Sequence, residues 1–183
     1  MLNIYNTIYE RRAKYYFNHI KNIIGENKTI IDLGAGSGYI SKLLSNNNKI
    51  ILVDIKDYNK TDLPLLIYDG YNLPYENNIF DYGLIVAVLH HTENPQKFLK
   101  ECQRVTKNLI IIEETYKNNI DKKIMVSWEY ICNRTTHIDT HYNFKTNSEW
   151  INIFNELNYN IIQNTYMPSL LGFLNMSIFQ LEK

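Results

Sequence analysis

The sequence predicts an α/β fold, a layered sandwich around a mostly parallel sheet, from three observations. Short apolar runs alternate with amphipathic stretches along the chain, with no internal repeat. The run at residues 28–33 empties into Gly34, Gly36 and Gly38, and the next run ends on an acid, Asp54. A later run, residues 80–87, is followed by Asn94-Pro95, a helix cap and a proline suited to the first helical position. Parallel strands that feed such turns bind ligands beyond their carboxyl ends.

The elements follow in order. Tyr5, Tyr9, Tyr16, Phe17, Ile20, Ile23 and Ile24 recur at near-helical spacing up to Gly25, so residues 1–26 hold an N-terminal helix placed beside the ligand mouth. Strands are predicted over 28–33, 49–54, 64–68, 80–87 and 107–113, with helices between the first two and between the last two. Parallel pairing then requires right-handed crossovers. The link into the fifth strand is Thr106-Lys107-Asn108, where Asn108 can make a turn without glycine. Thr146-Asn147-Ser148-Glu149 has capping-box spacing ahead of Trp150, Ile151, Phe154 and Leu157. The last runs, 159–166 and 173–182, read as strands.

Composition narrows the function classes. Residues 1–183 make one domain, and 45% hydrophobic residues suffice for a core. A formal net charge of zero lacks the electrostatic footprint of a nucleic-acid binder, although a local basic groove stays open. No signal peptide or bilayer-length apolar run is present, so a cytoplasmic protein is expected. Cys102 and Cys132 have no metal-ligand spacing and are expected as reduced thiols, Cys102 in the core with Phe98, Leu99 and Val105. Heavy use of Asn, Ile, Lys and Tyr points to an AT-rich genome.

The glycine spacing selects among nucleoside ligands. Gly34 and Gly36 carry no Cβ and let a ligand approach the backbone. A dinucleotide loop needs a third glycine where Tyr39 stands, and a phosphate loop needs a Gly-Lys-Ser/Thr ending, whereas the nearby cation is Lys42, out in the helix. Asp54 can accept two hydrogen bonds from a vicinal diol.

The pattern Asp32-x-Gly34-x-Gly36-x-Gly38 resembles the first motif of class I S-adenosylmethionine-dependent methyltransferases. Tyr68-Asp69-Gly70 adds a second element. The block from Phe80 to His91, with Asn94-Pro95 and Glu101 to Val105, resembles the fourth-strand region of small-molecule enzymes of the type 11 domain. The resemblance covers roughly residues 28–115. It implies a Rossmann-like three-layer sandwich whose seven-stranded sheet has its last strand antiparallel, the final two strands forming an antiparallel hairpin. It implies S-adenosyl-L-methionine as cofactor, with Asp32 at the methionine amino group, Asp54 at the ribose hydroxyls and Asp69 near the adenine amino group. Ala35, Gly36, Gly38, Ile55, Gly70, Val86 and Ala87 complete the implied cofactor site. The Pro-Gly-Gly turn usual before the fifth strand is missing.

Methyl transfer from a sulfonium is an in-line displacement helped by alignment and exclusion of water, and a hydroxyl or ammonium acceptor also needs a base. His91, just beyond the fourth strand, is the first candidate for base or acceptor-orienting group, with backbone hydrogen bonding or helix capping as the alternative. His90 is expected to point away, as neighbours on an extended chain do. Of Glu113 and Glu114, Glu114 is expected to face the cleft, and Tyr116 to line the acceptor pocket.

Residues 115–146 form a lid-like insertion that carries Trp128, Tyr130, His137, Asp139, His141, Tyr142 and Phe144. His137, Asp139 and His141 would share one face of an extended strand. No metal is expected there, because an ordinary exposed strand has the same pattern; His137 and His141 are expected to recognise the acceptor. A small-molecule acceptor leads. Methylation of RNA at ribose or cap, methylation of protein, and a non-catalytic cofactor-binding subunit are the alternatives. The Asn/Asp-Pro-Pro-Tyr/Phe motif of many base-amino methyltransferases is replaced by Ala87-Val88-Leu89-His90.

Overall fold

The computed structural model describes residues 2–136, 141–169 and 174–183. Its elements in chain order are α1 (Leu2–Ile24), β1 (Thr29–Leu33), α2 (Tyr39–Leu44), β2 (Lys49–Asp54), β3 (Leu65–Ile67) and β4 (Phe80–Val86). A 3₁₀ turn (Leu89–His91) follows, then α3 (Pro95–Val105), β5 (Thr106–Thr115), α4 (Asn119–Thr136), α5 (Asn147–Glu156), β6 (Asn160–Pro168) and β7 (Asn175–Glu182).

The local signals act where the sequence places them. Gly25, at φ 73°, ends α1, and its N–H donates to the Lys21 carbonyl. Asn94 caps α3 by accepting the Lys97 N–H, with Pro95 at the first position. Thr146 and Glu149 form the complete capping box of α5. One expectation fails: no loop lies between α3 and β5. Thr106 ends the helix by taking an extended conformation while its hydroxyl donates to the Cys102 carbonyl. Asn108 is therefore not a turn residue but part of β5, opposite Tyr82 and Glu182, and its amide donates to the Asp81 carbonyl.

The strands assemble in the order β3-β2-β1-β4-β5-β7-β6. β1, β2, β3, β4 and β5 pair in parallel, and β7 runs antiparallel to both β5 and β6. The expected α/β sandwich and hairpin are thus present. Chain order runs outward from β1 to β3 and then jumps to β4 on β1's other side, which makes the β1–β4 boundary the switch point where open α/β sheets hold ligands.

Side-chain alternation along each strand sorts the core into two layers. Ile31, Leu33, Ile85, Leu109, Ile111 and Phe179 meet α3 and α5 on one face. Ile30, Leu52, Leu84, Ile110 and Ile112 meet Tyr16, Ile20 and Ile24 of α1 and Leu44 of α2 on the other. Cys102 lies fully buried in the first layer, as expected, and burial pushes its thiol well above the usual range. Among the described residues, no helix is long and apolar enough to cross a membrane.

Gly83 sits in β4 between β1 and β5, and an added Cβ would stand 2.4 Å from Leu109 Cδ2 and 2.9 Å from Thr106 Cγ2. Gly83→Ala should therefore cost about 1–3 kcal/mol through overpacking, read as a lower urea midpoint at unchanged slope; an unshifted midpoint would contradict this packing.

Candidate active site

The switch point gathers the glycine loop first. Gly34 and Ala35 donate their N–H groups to the Val53 carbonyl, so the turn leaving β1 is pinned to β2. Gly34 has φ 78°, and a Cβ there would come within 2.7 Å of Val88, beyond the end of β4. Gly36 has φ 52° with open space where a Cβ would point, the gap through which a ligand can reach bare backbone. Gly38 is the N-cap of α2.

Two carboxylates flank this turn. Asp54 Oδ2 accepts the Gly36 N–H at 2.8 Å while Oδ1 accepts the Ile55 N–H at 2.7 Å. The end of β2 thus points at the glycine bend. Burial raises the Asp54 pKa, and the backbone bonds from Gly36, Ile55 and Lys56 oppose it. Asp32 is buried and accepts the Ser41 hydroxyl of α2 at 2.6 Å. Burial pushes its carboxyl up to about 7, against the Ser41 hydrogen bond and with some help from the charge of Asp54.

On the β3 side, Gly70 packs close to Ile55. Asp69 is exposed and accepts the Tyr71 and Asn72 N–H groups and the Asn72 amide, which together pull its pKa down. Val86 ends β4, and Ala87 turns the chain at φ 54° while its N–H donates to the Ile112 carbonyl.

The ends of β4 and β5 build a second cluster. Glu113 is fully buried; Oε2 accepts the Leu89 N–H at 2.7 Å, and Oε1 accepts the Glu114 N–H at 2.8 Å and contacts His90 Nδ1 at 2.5 Å. Burial works against a charged His90, but the charge and hydrogen bond of Glu113 outweigh it and hold the ring protonated. Phe144 stacks on His90 with centroids 4.6 Å apart, and the Asn143 N–H donates to the His90 carbonyl. His91 is half-buried, and its Nε2 lies 3.4 Å from Glu129 Oε1 of α4. Burial, reinforced by the positive His90, lowers its pKa to about 4, so the ring is neutral at pH 7. Among the described residues, the buried His91 Nδ1 and Glu114 Oε2 have no hydrogen-bond partner. Burial raises the Glu114 pKa.

One expectation needs correction. His90 does not point away from His91: the 3₁₀ turn replaces the extended chain assumed for it and sets the two rings 4.1 Å apart. The insertion over 115–146 contains the helix α4; the strand expected to carry His137, Asp139 and His141 lies largely outside the described residues. His141 is exposed. Tyr116 packs with Met125, Phe144 and Leu174, and its hydroxyl donates to Glu149. Glu113 and Glu129 were missed. Glu113 had a signal in the Glu-Glu pair closing the fifth strand; Glu129 had none, because only folding brings α4 over the β4 turn.

The fold and these positions define an α/β protein with a glycine turn and buried carboxylates gathered at the carboxyl edge of its sheet. Comparison with known proteins narrows the class. Residues 31–109 match the family described as Methyltransferase domain. A curated relative, the tRNA (carboxymethyluridine(34)-5-O)-methyltransferase of Schizosaccharomyces pombe, is 31% identical over 87 residues, 44% of this chain and 36% of that protein. The chain thus spans about a third of the length of the curated relatives it matches. The Burkholderia thailandensis 1,6-didemethyltoxoflavin-N1-methyltransferase, solved with S-adenosylhomocysteine, is similar with TM-score 0.73 at 14% identity, over 95% of this chain and 79% of that one. A Haloferax volcanii putative methyltransferase, solved in complex with the Trm112 methyltransferase activator, gives TM-score 0.73 at 17% identity over 93% and 88%. Residues 31–109 are thus similar to a methyltransferase domain, and the fold is the one shared by these solved methyltransferases.

The raised Asp32 carboxyl has a stability consequence. The native state keeps this proton up to about pH 7 while the unfolded chain releases it near 4, so ionising Asp32 costs native stability as pH rises through that interval. Asp32→Asn keeps an acceptor for Ser41 but cannot ionise. Its stability relative to the parent should climb between about pH 4 and 7 and level off above, measured by urea unfolding at matched pH; a difference independent of pH would refute the burial effect.

Proposed function

We propose that the chain transfers a methyl group from S-adenosylmethionine to a small-molecule acceptor. The observation that carries this reading is the Asp54 carboxylate aimed at the Gly36 N–H, beside open space at the glycine bend. That bend admits an adenosyl group, and Asp54 keeps lone pairs for the ribose diol. Asp32, one turn of chain away and shielded from water, takes the cationic amino group of the cofactor, whose charge favours the ionised carboxylate. Ala35, Gly34, Gly38, Ile55, Asp69, Gly70, Val86 and Ala87 line the rest of the cofactor cleft.

The cofactor supplies an activated methyl group on sulfur, and no covalent enzyme intermediate is needed. The protein's part is to align and to exclude water. His91, neutral and with one buried ring nitrogen unpartnered, orients the acceptor at the end of β4. Glu114, kept toward its protonated form by burial, presents a second polar group nearby. Tyr116 and His141 belong to the acceptor side. Zero net charge supports a small acceptor over a polyanion.

RNA is the second reading, favoured by the fission yeast relative, which by its name methylates an oxygen of a modified uridine in tRNA. Feeding labelled cofactor and protein to a cell extract separates the two: label in the low-molecular-weight fraction supports the first, label in nuclease-sensitive RNA replaces it with the second.

S-adenosylhomocysteine at about 100 times its Kd should stabilise the protein by about 2.7 kcal/mol, a Tm rise of about 5–10 °C. Asp54→Ala should remove most of that rise; an undiminished rise would take Asp54 out of the ribose role. His91→Ala should lower kcat about 100-fold with little change in cofactor Kd, and parallel losses in both would mean a purely structural residue.

A further inference from the structure

Three donor atoms converge just beyond the end of β4, and aligning an acceptor does not require all of them. One ring nitrogen each of His90 and His91 and an oxygen of Glu129 all lie within 4.8 Å of one another. Glu129 Oε1 is 3.8 Å from His90 Nε2 and 3.4 Å from His91 Nε2. Glu129 helps raise the His90 pKa as a hydrogen-bond acceptor, but both separations exceed the usual N–H···O spacing of about 2.9 Å. They match the edge of a coordination tetrahedron: with metal–ligand bonds of about 2.0–2.1 Å, donors stand about 3.4 Å apart.

The surroundings point the same way. The 3₁₀ turn puts adjacent imidazoles on one side, and α4 lays the carboxylate across them; the side chains are only 1%, 23% and 12% exposed. The far nitrogen of His90 is already held by Glu113, which the Leu89 and Glu114 N–H groups lock in place. A carboxylate on the distal nitrogen is how metal-bound histidines are oriented and made better donors. Phe144 stacked on His90 leaves that ring little freedom to turn.

We propose that His90, His91 and Glu129 bind a first-row divalent transition ion, zinc by the chemistry of the donor set, the ion displacing the His90 Nε2 proton to solvent while Nδ1–H stays on Glu113, which positions the ring. Two nitrogens and one oxygen disfavour magnesium and calcium, which prefer all-oxygen shells. Three protein ligands leave a fourth position open, as in catalytic zinc sites. His91 is the most exposed of the three, so the open position lies on its side, where an outside oxygen donor can enter. Resting on the methyltransferase reading, that donor is a hydroxyl or carboxylate oxygen of the acceptor.

The test uses the whole chain, stripped with a chelator and titrated with Zn(II) or Co(II) alone. One equivalent of Zn(II) should remain after dialysis, and Co(II) should give the intense visible bands of a four-coordinate ion, discharged by Zn(II). Glu129→Gln and His91→Asn should each weaken binding at least tenfold, and Glu113→Gln by about 10–100-fold. Stabilisation by S-adenosylhomocysteine on the same preparations keeps the two readings apart. Parent protein that binds neither ion but is still stabilised overturns the ion site alone; ion binding without stabilisation overturns the transferase reading and leaves the ion site standing. Unchanged affinity in folded Glu129→Gln and His91→Asn also overturns the assignment, and if either variant fails to fold, the parent Co(II) spectrum decides.

Discussion

Parallel alignment of β1, β2, β4 and β5 is the constraint from which the rest of this molecule follows. Strands running the same way end on the same edge, so Asp32 and the glycine turn, Asp54, the Ala87 to His91 turn and the Glu113-Glu114 pair all arrive at one side of the sheet. The jump from β3 across to β4 parts the two crossovers at the β1–β4 boundary and opens the crevice between them. Hydrogen bonds from Gly34 and Ala35 to Val53 hold the turn against β2, so the bend cannot drift away from Asp54.

Burial then sets the chemistry of the groups delivered there. Asp32, Asp54, Glu113 and Glu114 are all buried, an arrangement that costs free energy unless each is bonded or neutralised. Each finds a different solution. Asp32 takes the Ser41 hydroxyl and shifts toward its neutral form; Asp54 is satisfied by backbone N–H groups; Glu113 is matched by His90 and two N–H groups; Glu114 keeps one oxygen without a partner. Asp32 and Glu114, both pushed up in pKa by burial, stand on β1 and β5, the strands to which the proposed reaction assigns its cofactor and acceptor halves.

The two halves are legible to different degrees for a physical reason. The cofactor half is built within and just after strands, where glycine spacing and a strand-terminal acid leave local marks, and Gly34, Gly36, Gly38 and Asp54 fall where that pattern puts them. The acceptor half depends on how a turn coils and where a helix crosses it. His90 was misplaced because an extended chain alternates its side chains whereas a 3₁₀ turn brings neighbours to one side. Asn108 was misplaced because Thr106 can end a helix and start a strand with no residue between them.

Sequence alone determined what is periodic or stereochemically forced: the alternating strands of the sheet, the caps at Asn94 and Thr146, the stop at Gly25 and the glycine turn with its acidic partner. Tertiary structure decided what depends on distant segments meeting. The Glu113 to His90 contact, the Phe144 stack and the approach of Glu129 to both histidines join residues that no local rule relates. Local preference acts over a few bonds of chain, whereas these contacts exist only once the core has paired β4 with β5 and packed the chain beyond β5 over the open end of the sheet.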